Sequence, residues 1–227
     1  MSAGEDTLRE LRTMPLFQGL AERDQAELAD QAFIRRFDPE EMIFRQGDEV
    51  TRFHVLMEGG VKLFRSTSEG KEQTLYVVDP GEPFCLCTIY NNRVAPLNAR
   101  AIAASRVMSL PGDVMEKHSH GTPLLLLNIL RVLNTRLLSS MQMIEDLALR
   151  DVQQRTASFL RHTLLAQGDD ADRVSLRVPR HEVARILGTT PESISRVLAR
   201  MTQQGMIRAQ GRDIAILDRE ALDRMAG

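Results

Sequence analysis

Arg180-His-Glu-Val-Ala-Arg-Ile-Leu-Gly-Thr-Thr-Pro-Glu-Ser-Ile-Ser-Arg-Val-Leu-Ala-Arg-Met201 reads as two short helices joined by a tight turn. Val183, Ala184 and Leu187 give the first helix an apolar face, and Ala184 is small where a second helix must approach. Gly188 stands where the turn needs φ > 0, a conformation glycine adopts without steric cost. Thr190 is placed to cap the second helix, and Pro191 at its first position gives up a donor that would be unpaired there anyway. Ile194, Leu198 and Met201 then face inward, which leaves Glu192, Ser195, Arg196 and Ala199 outward at i, i+3, i+4 and i+7.

An arginine on such a face can bond guanine O6 and N7 bidentately in a DNA major groove, and a glutamate can accept from cytosine N4. Glu192, Ser195 and Arg196 are therefore the candidate base contacts. Thr189-x-x-Glu192 also fits a capping box, and a solvated helix face is the plain alternative for Ser195 and Arg196. The local charge favours base contact: from Arg173 to Arg212 there are eight arginines against two glutamates, a formal balance of +6 in a chain whose net charge is −2. Arg180, Arg185, Thr190, Arg200, Arg208 and Arg212 are the candidate phosphate contacts, which supply affinity without reading sequence.

Outward from this stretch, a short strand (Val174–Val178) precedes it and a hairpin around Gln210-Gly211-Arg212 follows, the order of a winged helix-turn-helix. Asp151 is placed to cap a helix over Val152–Ala166. Before it, from Gly121 to Arg150, the pattern is helical without interruption, about 28 residues or roughly 42 Å. Leu127, Leu130, Asn134, Leu137, Met141 and Ile144 alternate steps of three and four along it, the signature of a two-stranded seam. So long a helix calls for a homodimer, with Asn134 fixing register at some cost in stability.

Earlier still, Ile34 to Pro111 carries short alternating runs at Met42–Phe44, Phe53–Met57, Val61–Phe64, Thr74–Val78, Phe84–Ile89 and Ala101–Leu110. Gly47-Asp48, Glu58-Gly59-Gly60, Glu69-Gly70-Lys71 and Asp79-Pro80-Gly81 punctuate them, which predicts an antiparallel β-roll. Amphipathic helical pieces, broken at Pro15 and Gly19, precede it over Asp6–Phe33. The chain is thus expected to be α+β, with a sensor roll over 1–120, a dimerisation helix over 121–150 and a DNA-binding domain over 151–227.

The totals agree with two cores: 227 residues, 43% of them hydrophobic. No apolar run is read as reaching the roughly 18 residues of a membrane span, and the first residues lack a basic and an apolar region, so a cytoplasmic protein is expected. Two cysteines, Cys85 and Cys87, are too few for a disulfide framework. No nucleophile elbow, phosphate loop or catalytic acid–base pair occurs, which argues against an enzyme. His118-x-His120 reads as a solvated turn, and no metal site is expected.

The chain resembles the CRP/FNR family of transcription regulators over nearly its whole length. The resemblance rests on Phe44-Arg-Gln-Gly-Asp48, Leu56-x-Glu-Gly-x-Val-Lys-Leu63, Glu69-Gly-Lys-Glu72, Asp79-Pro-Gly81 and Asp151-Val-x-x-Arg155. Glu192-x-x-Ser195-Arg196 resembles the FNR branch; the CRP branch has a glycine where Ser195 stands and an arginine where Pro191 stands. The resemblance implies a cyclic-nucleotide-binding-like roll, an effector, RNA polymerase as a partner, and a palindrome of the TTGA…TCAA kind with one half-site per subunit, about 34 Å apart.

It also bears on the input. Family members that bind cyclic AMP hold its phosphate with a Gly-Glu followed by an Arg-Ser pair. Here the matching stretch runs Cys85-Leu86-Cys87 and the Arg-Ser position falls near Pro96-Leu97, so cyclic AMP is not expected, with Arg93 and Arg100 as the substitutes to examine. An FNR-type iron–sulfur cluster needs four cysteine ligands and is not expected from two. Cys85 and Cys87, alternating on a predicted strand, point to one face. Three readings stay open for them: inert core, ligation of haem or another gas-sensing cofactor as in haem-binding relatives, and a thiol redox switch.

Overall fold

A computed structural model describes residues 3–89, 92–168 and 171–227. The chain divides into two compact units, the first ending at Leu137 and the second running from Leu138 to Gly227.

The first unit opens with α1 (Ala3–Thr13), a 3-10 turn at Pro15–Phe17 and α2 (Glu22–Asp30). The strands β1 (Phe33–Phe37), β2 (Met42–Phe44), β3 (Arg52–Glu58), β4 (Val61–Ser66), β5 (Glu72–Val78), β6 (Pro83–Phe84), β7 (Asn98–Ala101) and β8 (Ser105–Pro111) follow, with α3 (Leu86–Ile89) between β6 and β7. They form two antiparallel sheets, ordered β1-β8-β3-β6 and β2-β7-β4-β5. Side chains alternate across a strand. On β3 this sends Leu56 into a core with Phe44, Val61, Leu63, Phe84 and Ala99. Phe53 and Val55 face the other way, against Leu11, Phe17, Leu28, Met115, Leu125 and Ile129 of the helices. Covering on both faces explains the unbroken apolar run Val55–Met57 in the middle of β3. The β3–β4 turn needs glycine: Gly59 has φ +91°, and a Cβ there would collide with the Ala104 carbonyl oxygen.

α4 (Gly112–Gly121) and α5 (Pro123–Leu149) complete the series. The long helix forms where its seam pattern predicted it. Near its start Leu125, Asn128 and Ile129 are buried, and Asn128 Nδ2 donates to the carbonyls of Leu16 (3.0 Å) and Gln18 (3.2 Å). Its other side is exposed and apolar: Leu127, Leu130, Leu137, Met141 and Ile144 are each at least half exposed, and Asn134 lies exposed in the same stripe. By length and composition alone α5 could cross a membrane. Asn128, Arg131, Thr135, Arg136, Gln142 and Asp146 place polar groups along the rest of the helix.

The roll departs from expectation at three places. Phe84–Ile89 is not one strand: Pro83 and Phe84 pair with Val55 and His54, and the ladder stops there. Cys85 takes φ +63°, and its carbonyl accepts from both the N–H (3.2 Å) and the hydroxyl (2.7 Å) of Thr88, which starts α3. Cys85 and Cys87 therefore do not alternate on a strand; the side chain of Cys87 lies outside the described residues. Ala101–Leu110 splits into β7 and β8. His118 and His120 sit on α4 and not in a turn, with His118 Nε2 3.6 Å from the Glu27 carboxylate.

The second unit holds α6 (Val152–Ala166), β9 (Arg173–Ser175), α7 (Arg180–Ile186), α8 (Pro191–Gln203), β10 (Ile207–Gln210), β11 (Asp213–Ile216) and α9 (Arg219–Ala226). Asp151 caps α6 in a reciprocal box: its carboxylate accepts from Gln154 N–H (2.8 Å) and its own N–H donates to Gln154 Oε1 (3.0 Å). The sheet runs β10-β11-β9, antiparallel, and α6 packs on α9.

Candidate nucleic-acid interface

The helix-turn-helix is α7, a turn at Leu187–Thr190, and α8. Val183, Ala184 and Leu187 are buried against Ile194, Leu198 and Met201, so the inner face is the expected one. Gly188 has φ +61°, in the left-handed region its position required. Thr190 is the N-cap: its hydroxyl oxygen accepts from the Ser193 N–H at 3.3 Å, with Pro191 at the first helical position. Because the cap is Thr190 and not Thr189, Glu192 occupies the second helical position, and the Thr189–Glu192 capping box does not form.

The outward side chains are exposed and each has a local partner. Ser195 donates its hydroxyl proton to the Pro191 carbonyl (2.9 Å), which leaves its lone pairs facing solvent. Arg196 Nη2 donates to Ser193 Oγ at 3.3 Å. The Glu192 carboxyl is held below its ordinary pKa by its own backbone N–H, by the Thr190 hydroxyl and by the charge of Arg196. Glu192, Ser195 and Arg196 thus share one face at the start of α8, where the helix dipole also favours the carboxylate.

The candidate phosphate contacts differ in freedom. Arg200, Arg208 and Arg212 are exposed. Arg180 Nη2 donates to the Gly211 carbonyl at 3.2 Å, joining α7 to the β10–β11 turn. Arg185 pairs with Glu182, a fully buried carboxylate that His181 also approaches. Glu182 and Ser193 carry no signal in a pattern of charge or apolar period, since each acts through a neighbour.

Inside the roll, the side chain of His54 lies half-buried between Phe84 (ring centroids 5.2 Å apart) and Phe44 (5.9 Å), with Nδ1 2.9 Å from Ser109 Oγ. Burial, and then the charge of Arg52, lower its pKa to about 4, so it is neutral at pH 7. Tyr76 donates to the Glu82 carboxylate (2.9 Å), and burial together with that carboxylate pushes its phenol up to about 12. Arg136 of α5 lies over the Tyr76 ring (4.8 Å) and donates to the Pro83 carbonyl. Cys85 is buried. Arg100 lies on β7 between Ala99 and Ala101, both core residues, so strand alternation turns it to the opposite face. There it meets Glu72 (2.6 Å) and Glu40 (3.2 Å) over the Phe64 ring. Arg93 is exposed. Among the described residues no group of three or more His, Cys, Asp or Glu is placed to hold a metal ion.

Residues 34–118 match the cyclic nucleotide-binding domain and residues 154–225 the Crp-like helix-turn-helix domain. The chain is 30% identical over 190 residues to the transcriptional activator protein anr of Pseudomonas aeruginosa, which covers 82% of this chain and 78% of that protein. It is 28% identical over 214 residues to the CRP-like cAMP-activated global transcriptional regulator of Mycobacterium tuberculosis, covering 93% and 96%. FixK2 from Bradyrhizobium japonicum shares the fold, with a TM-score of 0.76 at 21% identity over 86% of this chain and 98% of that one. With identity running across both units and the two domains matched in this order, the chain belongs to the CRP/FNR family of DNA-binding transcription regulators.

Proposed function

We propose that two copies of the chain bind a palindrome of the TTGA…TCAA kind, one α8 in each major-groove half-site, and that an effector in the roll biases this binding. The observation that carries the reading is the single exposed face shared by Glu192, Ser195 and Arg196 above a fully packed inner face. Arg196 reads guanine O6 and N7, and Glu192 accepts from cytosine N4. Ser195, its proton already committed to Pro191, offers lone pairs, which suits the amino groups of adenine or cytosine. Arg200, Arg208 and Arg212 supply phosphate contacts, and Arg180 holds the wing. Arg196→Ala is expected to cost about 1–3 kcal/mol on the palindrome and to relax its G·C preference. A gel-shift series over single-base variants tests this, and unchanged discrimination in the variant would refute it.

The effector is proposed to lack a cyclic phosphate. Of the two arginines that could substitute for the family's anion-binding one, Arg100 is committed to Glu72 and Glu40 on the face away from the core, and Arg93 is exposed. The effector must bind the DNA-competent state better than the other, or it shifts nothing. Cyclic AMP titrated calorimetrically into the protein is expected to release no binding heat. A saturable isotherm in the micromolar range would overturn this reading. Recruitment of RNA polymerase and a cytoplasmic setting follow from the same proposal.

A further inference from the structure

We propose that Ser193 is the positioning residue that aims Arg196 at the base pair it reads, an inference that rests on the base-contact reading above. Ser193 lies one helical turn before Arg196, half-buried at the third position of α8. Its hydroxyl oxygen is approached by two donors, Thr190 Oγ1 at 3.2 Å and Arg196 Nη2 at 3.3 Å. A serine oxygen has two lone pairs, so both are engaged.

The consequence lies in the guanidinium. An arginine on an exposed helix face is free about every side-chain bond, and it loses that freedom when it docks its fork on a guanine. Holding one hydrogen of Nη2 fixes the plane of the group beforehand. The second hydrogen of Nη2 and those of Nη1 stay available for O6 and N7. An anchored donor gives up less entropy on binding, and a misplaced base pair gains less from a guanidinium that cannot follow it.

The cap itself does not need the Ser193 side chain. It is the backbone N–H of Ser193 that donates to Thr190 Oγ1, at 3.3 Å. Removing the hydroxyl therefore spares the helix start, and alanine is a better helix former than serine.

The test compares full-length wild type, Ser193→Ala, Ser193→Thr and Arg196→Ala. The probe is the duplex that the wild-type chain enriches from a randomised pool, with its set of single-base variants, in competition gel shifts. Ser193→Ala is expected to lose about 3- to 10-fold of discrimination at the pair that Arg196→Ala also affects, and to keep it at the other pairs. Ser193→Thr, which retains the hydroxyl, is expected to restore most of that loss. An equal loss across all base variants, no change at all, or failure of threonine to restore discrimination each overturns the role of Ser193. If Arg196→Ala abolishes discrimination while Ser193→Ala leaves it intact, only the positioning role falls. If Arg196→Ala leaves every pair discriminated as before, the base-contact reading fails and this inference with it.

Discussion

A Leu137→Glu chain is expected to sediment as a monomer at micromolar concentration and to bind a duplex with two half-sites about 100-fold or more weakly than wild type. Leu137 is 59% exposed on α5, in line with Leu127, Leu130, Met141 and Ile144. Burying each such side chain against a second copy is worth about 1.5–3 kcal/mol. In a two-fold seam a central residue lies near its own mate, so the substitution removes two leucines and sets two carboxylates close together in an apolar contact. DNA affinity follows because the second half-site is engaged intramolecularly in a dimer, an advantage of about 10²–10⁴ in such linkages. A duplex with one half-site is expected to bind the variant and the wild type alike. A variant that remains dimeric by sedimentation would show that α5 is not the seam.

Glu72→Ala is expected to destabilise the first unit by about 3–5 kcal/mol, read from its unfolding transition in denaturant. Lys62 on β4 is 0% exposed, and its Nζ lies 2.9 Å from Glu72 Oε2 while Arg100 holds the other carboxylate oxygen at 2.6 Å. Burial pushes the Glu72 carboxyl up, but Lys62 and Arg100 together outweigh it and hold the group below its ordinary value. Removing this one carboxylate takes away the counter-charge that Lys62 and Arg100 share; Arg100 keeps Glu40, but Lys62 is inside the fold. Lys62→Met is the instructive contrast. It keeps a side chain of similar length over Phe64 and leaves Glu72 paired with Arg100, so a cost of about 1 kcal/mol is expected. Equal, small losses in the two variants would mean that the network contributes little to the roll.

Both predictions turn on whether a feature was visible in the chain before it folded. The long helix α5 was visible, because an apolar stripe stepping by three and four persists from Leu127 to Ile144. So was the outward face of α8. Cap, proline and apolar period all act within a few residues, and they agree on which side chains face in and which face out. Gly188 and Asp151 belong to the same class: a left-handed turn and an N-cap are local requirements that local residues meet.

The stretch from Phe84 to Ile89 is the opposite case. Six residues with an apolar period short enough for either strand or helix do not choose between the two locally. The end of the β3–β6 ladder at Phe84 and the Thr88 turn onto the Cys85 carbonyl made the choice, and both depend on residues brought together by the sheet. The helix α4 escaped notice for a similar reason, since its apolar positions Val114 and Met115 acquire meaning only against α2 and β8. Lys62 looks like a solvated residue on a strand; only the arrival of Glu72 and Arg100 from β5 and β7 buries it. By itself, then, the sequence determined the architecture, the long helix and the outward face of α8, because these rest on periodicity and caps within a turn or two. Tertiary structure alone decided the backbone at Cys85, the outward turn of Arg100 and the buried charges of the roll. Each of these depends on strands far apart in the chain meeting at distances set by their pairing.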